Sequence, residues 1–507
     1  MKPLQSIPEY FAAKNVFITG GTGLLGKVIT EKLLRSCPDV GDIYLLVRTR
    51  KGVDPGDRLK EYCNHVIFDL LRTVQPDALN KIKLIRGNVA ELGLGLSSED
   101  RQLLQEHVHI IFNAAASVRF DDPLCKAILT NVRSTREVVD LALGMKNLQV
   151  LTHISTAYSN SQIFDIEEKI YPAPGDWQKF IKAAETLDPF LLDIITKRML
   201  GKIPNTYVFT KSLAEHVIND HRHLLPVVIH RPSVVFCVGK EPIPGYTDNF
   251  NGPTGLILAV GKGIMKVALV DGNSLLDCIP SDDVAKSVII VTWKRGFLPS
   301  SDGIEVYNAC TNGSLRSTFN NIKDHGLAVI SVTPVSCVSY PTIHYTQSKM
   351  IYMLLFYSMQ LSLAIFMDLF LRLQGKKPMF VKVQRKLLLA THVLSYFSNN
   401  AWSFHNKRFL KLQKDILDCD IRNFQYCFED TDLFLYYSPA IKATRQYLLH
   451  ENVTEETAKM IYDCLYLLYC FLSSTAVWVA LWASYTYSLP HKLLSVLIHV
   501  LQTVLIL

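Results

Sequence analysis

The run Val16-Phe-Ile-Thr-Gly20-Gly-Thr-Gly23-Leu-Leu-Gly26-Lys-Val-Ile-Thr-Glu-Lys-Leu-Leu34 leaves this chain few folds to adopt. An apolar strand enters a glycine turn, and the turn opens an amphipathic helix. A dinucleotide-binding loop needs that succession, because the pyrophosphate rests on backbone N–H groups at a helix N-terminus. Gly20 permits the tight turn, Gly23 lets the backbone approach the phosphates, and Gly26 lets helix and strand come close. Thr19, Thr22 and Leu24 stand among these glycines and belong to the same cofactor-binding loop. The plainer alternative, an ordinary glycine-rich turn, is disfavoured by the strand and helix on either side. The expected fold class is α/β, a Rossmann-type doubly wound parallel sheet.

The next apolar run, Ile43-Tyr-Leu-Leu-Val47, fits a second strand. Dinucleotide folds that prefer NAD carry Asp or Glu at its end to hold the ribose 2′-OH. Here Arg48 follows, then Thr49, Arg50 and Lys51, and a guanidinium suits a 2′-phosphate, so NADPH is the expected cofactor. A solvated basic loop is the plainer reading of Arg50 and Lys51. Ile110-Ile-Phe-Asn113-Ala114 reads as a buried strand whose small terminal residues let a cofactor lie against the backbone.

Val150-Leu-Thr-His-Ile-Ser155-Thr156 ends a further strand in hydroxyls, about fifty residues before Tyr207. Tyr207 and Lys211 stand at i and i+4, so on a helix they share a face. A protonated lysine beside a phenol favours the phenolate and is expected to pull the tyrosine below its usual value near 10. Such a tyrosine serves as general acid or base toward a carbonyl or alcohol oxygen. Tyr-x-x-x-Lys arises by chance in most long chains. The glycine loop and the hydroxyl strand end, in this order, make Tyr207 and Lys211 the catalytic candidates, with Thr156 or Ser155 as third partner.

These pieces resemble the extended short-chain dehydrogenase/reductase superfamily, and one branch closely, the fatty acyl-CoA reductases. The likeness extends to Ile7-Pro-Glu-Tyr-Phe, Ala114-Ala-Ala-Ser-Val-Arg-Phe-Asp121, His153-Ile-Ser-Thr-Ala-Tyr158, Pro204-Asn-Thr-Tyr207, Arg231-Pro-Ser-Val-Val235 and Asp248-Asn-Phe-Asn-Gly-Pro-Thr-Gly. It covers residues 7–310 in motif detail and continues more loosely to about 450. The resemblance implies that Gly20, Gly23 and Gly26 hold the pyrophosphate and that Tyr207 and Lys211 are catalytic. It implies reduction of a long-chain acyl-CoA by NADPH, in two hydride transfers through a bound aldehyde, to a primary alcohol and free coenzyme A, with no metal.

The chain also departs from the family. Gly87-Asn88 replaces Gly-Asp after the third strand, leaving Asn88 an amide to offer the adenine. Gln360 and Leu363 stand where the family carries histidine and proline, with Ala364 kept. Ile279-Pro-Ser-Asp-Asp-Val284 and Asp420-Ile-Arg-Asn-Phe-Gln-Tyr426 also differ from the family pattern. The catalytic half is therefore better kept than the half expected to choose the acyl chain.

At 507 residues the chain has room for two or three domains. Residues 12–310 are expected to form the NADPH-binding reductase domain, 345–455 a helical and basic C-terminal domain, 464–485 a transmembrane helix and 493–507 a second short hydrophobic segment. Eleven cysteines without CxxC pairs or Cys/His clusters support neither a disulfide framework nor a zinc site. Cys464 to Tyr485 is a run of 22 uncharged residues, about 33 Å as a helix and enough to span a hydrocarbon core. Met350 to Met367 is an uncharged run of 18 that spans, lies on the membrane or packs as a core helix. Arg372, Lys376, Lys377, Lys382, Arg385 and Lys386 follow it, a pattern suited to anionic headgroups. The partners read from this are a long-chain acyl-CoA and a lipid membrane, with no nucleic-acid recognition motif. A cytosol-facing catalytic domain on the endoplasmic reticulum is the first expectation for location, and the peroxisome the second. A membrane-bound sterol dehydrogenase, a nucleotide-sugar epimerase and a catalytically silent acyl-CoA binding protein are the competing readings.

Overall fold

A computed structural model describes residues 5–50, 52–250, 253–297, 303–311, 317–426 and 433–486. Lys51 and the segment 493–507 lie outside the described residues. The chain divides into two compact units, each assembled from separated stretches. The first comprises Met1–Pro244, Asp277–Arg316 and Trp402–Asp430; the second comprises Gly245–Leu276, Ser317–Ala401 and Thr431–Leu507.

The first unit is built on a seven-stranded sheet. Its strands are β1 (Asn15–Thr19), β2 (Ile43–Val47), β3 (Ile82–Arg86), β4 (Val108–Asn113), β5 (Val150–Ile154), β6 (Val227–Pro232) and β7 (Glu305–Ala309). They lie in the order β7-β6-β5-β4-β1-β2-β3, every neighbouring pair parallel. Parallel strands need covered faces, and the sequence supplies continuous apolar runs rather than alternation. Every residue of β2, β5 and β6 is buried. Helix α1 (Leu24–Ser36) packs on α4 (Ser281–Phe297), and α2 (Ser134–Leu143) packs on α3 (Thr206–Asp220).

The strand order reverses between β1 and β4, and in doubly wound sheets the ligand crevice opens at the carboxyl ends there. Thr19 closes β1 directly opposite Asn113, the last residue of β4. A late segment also joins this unit. Ser403–Phe404 pairs parallel with Asp165–Ile166. Trp402 donates Nε1–H to the Ser161 carbonyl at 3.0 Å. The Glu168 carboxylate accepts the N–H groups of Asn308, Arg408 and Phe409.

In the second unit, short parallel strands Val267–Leu269 and His344–Thr346 pair beside a set of helices. These include α5 (Lys349–Leu373, with a wide turn at Phe356–Leu361), α6 (Phe380–Ser398) and α7 (Glu455–Thr486). Gly245–Leu276, inside the stretch 12–310, thus clusters with the helices of the C-terminal half. Among the described residues, α5 and Glu455–Val479 of α7 are the two helices long and apolar enough to cross a membrane. The run Cys464–Tyr485 lies within α7, which begins nine residues earlier, at Glu455.

Candidate active site

The glycine loop takes its shape from what surrounds it. Gly20 has φ of +73°, and a Cβ there would stand 2.7–2.8 Å from the backbone of Ala114 and Ala115. The ends of β1 and β4 therefore touch through bare backbone. At Gly26 a Cβ would fall 2.5 Å from Gly20 O and Gly21 Cα, so only glycine lets α1 leave the loop at this angle. Gly23 differs: the nearest atom to its Cβ position is Gly20 O at 3.4 Å, so the protein itself tolerates a methyl there. Gly23 is also the N-cap of α1, with no side chain capping the helix. Thr22 and Leu24 flank it in the same turn. The uncapped first turn, next to open space, fits a pyrophosphate.

Behind the loop runs a chain of polar contacts. Thr19 Oγ1 donates to Asn113 Oδ1 at 2.7 Å and accepts the Ala115 N–H at 3.2 Å, holding Ala114 against the loop. Asn113 Nδ2 meets His153 Nδ1 at 3.1 Å. Burial, aided by the nearby Lys211 charge, keeps His153 well below its usual range, so Nδ1 accepts from the amide.

Arg48 is exposed just past β2. Arg58, one turn into the helix Pro55–Cys63, donates Nη1–H to the Arg48 carbonyl oxygen. Burial, then the charges of Arg50 and Arg48, lower the Arg58 guanidinium from its ordinary value. Several cations thus crowd the β2 terminus. Sequence reading passed over Arg58, because helical residues reach strand ends only through the fold. Asn88 is otherwise engaged: its Nδ2 donates to Glu91 Oε1 at 2.9 Å and its Oδ1 accepts the Ala90 N–H at 3.2 Å. The amide expected at the adenine is turned into its own loop.

Asn205 caps α3 by accepting the Val208 N–H at 2.9 Å, and Thr206 Oγ1 donates to the Asp122 carbonyl at 2.9 Å. This sets Tyr207 and Lys211 on the face of α3 toward β5. Lys211 is buried, and its ammonium donates to the carbonyl of Ile154, the last residue of β5, at 2.6 Å. The half-buried Tyr207 ring stacks on Phe120 with centroids 5.5 Å apart, and Thr156, whose Oγ1 accepts the Tyr158 N–H at 3.3 Å, lies near its hydroxyl.

The expected lowering of the tyrosine is corrected here. Burial pushes Tyr207 up to about 12, with the nearby Thr156 hydroxyl opposing it. The lysine charge is spent on a main-chain carbonyl, so it does not offset the loss of water around the phenol. Burial also brings Lys211 down to about 8, opposed by Glu215. At neutral pH Tyr207 is a protonated donor.

The two hydroxyls of the β5 end separate. Thr156 faces Tyr207, whereas Ser155 Oγ donates to Glu215 Oε1 at 2.5 Å. Glu215 in turn receives both arms of Arg231, at 2.8 and 2.6 Å, and neither side chain is exposed beyond 2%. Two signals could have found this pair. Glu215 continues the Tyr207, Lys211 spacing by one more turn, and Arg231 is a charge inside an apolar strand.

Two family models, both described as male sterility protein, match this chain, an NAD-binding one over residues 18–288 and a second over residues 359–451. Fatty acyl-CoA reductase 1 of Homo sapiens is 37% identical over 451 residues, covering 89% of this chain and 87% of that one. The Xenopus laevis protein of that name is 36% identical at the same coverage. The chain belongs to the fatty acyl-CoA reductase family. Membership brings with it a nicotinamide dinucleotide domain, which is where the glycine loop lies. A more distant member, fatty acyl-CoA reductase wat of Drosophila melanogaster, is 32% identical over 94% of this chain and 92% of its own length. Among solved structures, the fold is similar to the terminal R domain of the myxalamid PKS-NRPS pathway, with TM-score 0.58, 18% identity and coverage of 86% and 91%. The reductase domain of a nonribosomal peptide synthetase from Mycobacterium tuberculosis gives 0.59 at 17% identity, covering 86% and 92%.

Proposed function

We propose that this chain reduces a long-chain fatty acyl-CoA to the primary alcohol, consuming two NADPH and releasing coenzyme A. The observation that carries the reading is Lys211, fixed on the Ile154 carbonyl at 2.6 Å one helical turn from Tyr207, at the strand ends where the glycine loop lies. When bound, the nicotinamide supplies one hydride to the thioester carbonyl carbon and a second to the aldehyde carbon. The first turn of α1 and the Gly20–Gly26 loop hold the pyrophosphate, and Arg48 with Arg58 takes the 2′-phosphate. Tyr207 gives its proton to the substrate oxygen as negative charge develops there, and Thr156 keeps the phenol aimed at that oxygen. The Lys211 ammonium, fixed by the Ile154 carbonyl, favours the phenolate left behind. The Tyr207 phenolate takes the hydroxyl proton back as the carbonyl re-forms and the carbon–sulfur bond breaks, and the departing thiolate takes a proton from solvent. The catalytic stretch 12–310 faces the cytosol, and Cys464–Tyr485 of α7 spans the endoplasmic reticulum membrane.

Membranes carrying the full chain, given palmitoyl-CoA and NADPH, should yield hexadecanol with two NADPH oxidised per free coenzyme A. Tyr207→Phe should lower that rate by roughly 10²–10⁴-fold while NADPH still binds. Turnover by Tyr207→Phe, or oxidation of a sterol in place of acyl-CoA reduction, would overturn the assignment.

A further inference from the structure

Helix α5 is held by the protein along one face and left bare along the other. Tyr352, Phe356, Gln360, Ala364 and Asp368 are buried, each four residues after the last. On a regular helix such a stripe would wander by roughly 160° over its length. The wide turn at Phe356–Leu361 takes up part of that drift, so the stripe keeps facing the protein. Gln360 and Asp368 anchor it. Gln360 Oε1 accepts the N–H groups of Lys266 and Val267 at 2.8 and 3.2 Å, and its Nε2 donates to Gln384 Oε1 at 2.7 Å. The Asp368 carboxylate accepts the N–H groups of Met379, Phe380 and Val381 at 2.7, 2.8 and 2.9 Å, capping α6.

The other face is apolar and exposed, including Leu354, Phe366, Leu369 and Phe370, with Met350 and Leu373 at its ends 81% and 80% exposed. Crossing a bilayer would carry the Gln360 and Asp368 contacts into hydrocarbon together with α6. That helix bears the exposed Lys382, Arg385 and Lys386, and charges near the bilayer centre are costly to bury. Lying flat requires no such burial. It also brings the exposed Arg372, Lys376 and Lys377 to the headgroups, in a stretch with no acidic residue from 369 to 414. Each such cation is drawn to an anionic lipid surface.

We propose that α5 is an in-plane membrane contact. Its apolar face lies in the acyl boundary of an anionic leaflet, both its ends stay on one side, and the α5–α6 cations bind lipid phosphates. The proposal rests on the membrane attachment assigned to α7 above and adds a second, non-spanning contact.

The test uses the full chain in sealed microsomes. Lys349→Cys and Gln374→Cys, at the two ends, should both react with an impermeant maleimide above the native-cysteine background. Protection of one end alone means α5 spans, and overturns the proposal. A bimane placed by Phe366→Cys should be quenched by nitroxide-labelled phospholipid at least twofold more than one at Lys349→Cys. Joint Lys376→Glu, Lys377→Glu, Arg385→Glu and Lys386→Glu substitution should at least halve that quenching. Equal quenching at both sites, or no effect of the charge reversal, refutes lipid as the occupant. Resistance to alkaline extraction reads the α7 span alone, so its loss leaves the α5 result to stand or fall by itself.

Discussion

Ser155 gives its hydroxyl to the carboxylate of Glu215 at 2.5 Å, inside the reductase unit, whereas its neighbour Thr156 lies near the Tyr207 phenol. Ser155→Ala removes one of the bonds to a buried anion that Arg231 also grips. It should cost about 1.5–3 kcal/mol of stability, as for hydrogen bonds to charged groups, and leave kcat within a few-fold. Thr156→Val should do the reverse, lowering kcat by roughly 10²-fold, with only the small fall in Tm expected from losing its bond to the Tyr158 N–H. Turnover and thermal unfolding of both variants, measured side by side, separate the two roles; a larger kcat loss in Ser155→Ala would reverse the assignment.

Lys211, rather than Tyr207, should set the alkaline limb of the pH profile. The reduction needs Tyr207 protonated and Lys211 charged, and the two sit at about 12 and about 8. As pH rises through the lower value, Lys211 loses its proton and with it the charge that receives the phenolate. The rate kcat/KM for acyl-CoA should therefore fall about tenfold per pH unit above that point. Lys211→Arg keeps a charge throughout and should shift the limb upward, whatever its effect on the plateau. A limb that does not move in Lys211→Arg would assign it to another group.

The three glycines of the loop should not fail alike. A methyl at Gly26 meets main-chain atoms at 2.5 Å, whereas at Gly23 the nearest atom is 3.4 Å away. Gly26→Ala should destabilise the unit by about 1–3 kcal/mol, the usual cost of overpacking. Gly23→Ala should keep its Tm and weaken NADPH binding by tenfold or more, because the methyl takes the space the phosphates need. Titration of nucleotide fluorescence alongside a melting curve decides between these outcomes.

Arg48→Gln and Arg58→Gln should each relax the choice of nucleotide. Loss of one charge-assisted bond to a 2′-phosphate, about 1.5–3 kcal/mol, corresponds to roughly a 10- to 150-fold drop in the NADPH-over-NADH ratio of kcat/KM. Rates with NADH should stay nearly unchanged. A parallel loss with both nucleotides would place these arginines in the fold alone.

Much of the reductase unit could be read along the chain, because its determinants are local. An apolar strand, a glycine turn and an amphipathic helix are contiguous, and Tyr207 and Lys211 share a face by helix geometry alone. Strands Ile43–Val47 and Val150–Ile154 lie where unbroken apolar runs placed them. What the linear order could not carry depends on groups far apart in it. The Tyr207 environment is set by burial and by the Ile154 carbonyl, 57 residues from Lys211, so the expected sign of its shift was reversed. Ser155 and Thr156 are equivalent strand-end hydroxyls until the pleat sends one toward Glu215, 60 residues on, and the other toward Tyr207. Asn88 offers the same amide in either reading, and only the closed turn with Glu91 shows where it is spent. Hydropathy likewise marks Met350–Met367 as uncharged. That Gln360 and Asp368 anchor one face of it appears only once Lys266 and α6 are folded against that face. Sequence alone therefore determined the Rossmann-type fold and the placing of Tyr207 and Lys211 on one helix face, since both follow from short-range periodicity. Tertiary structure decided which strand-end hydroxyl is taken by Glu215 and which face of α5 is free, since burial and charge act through space.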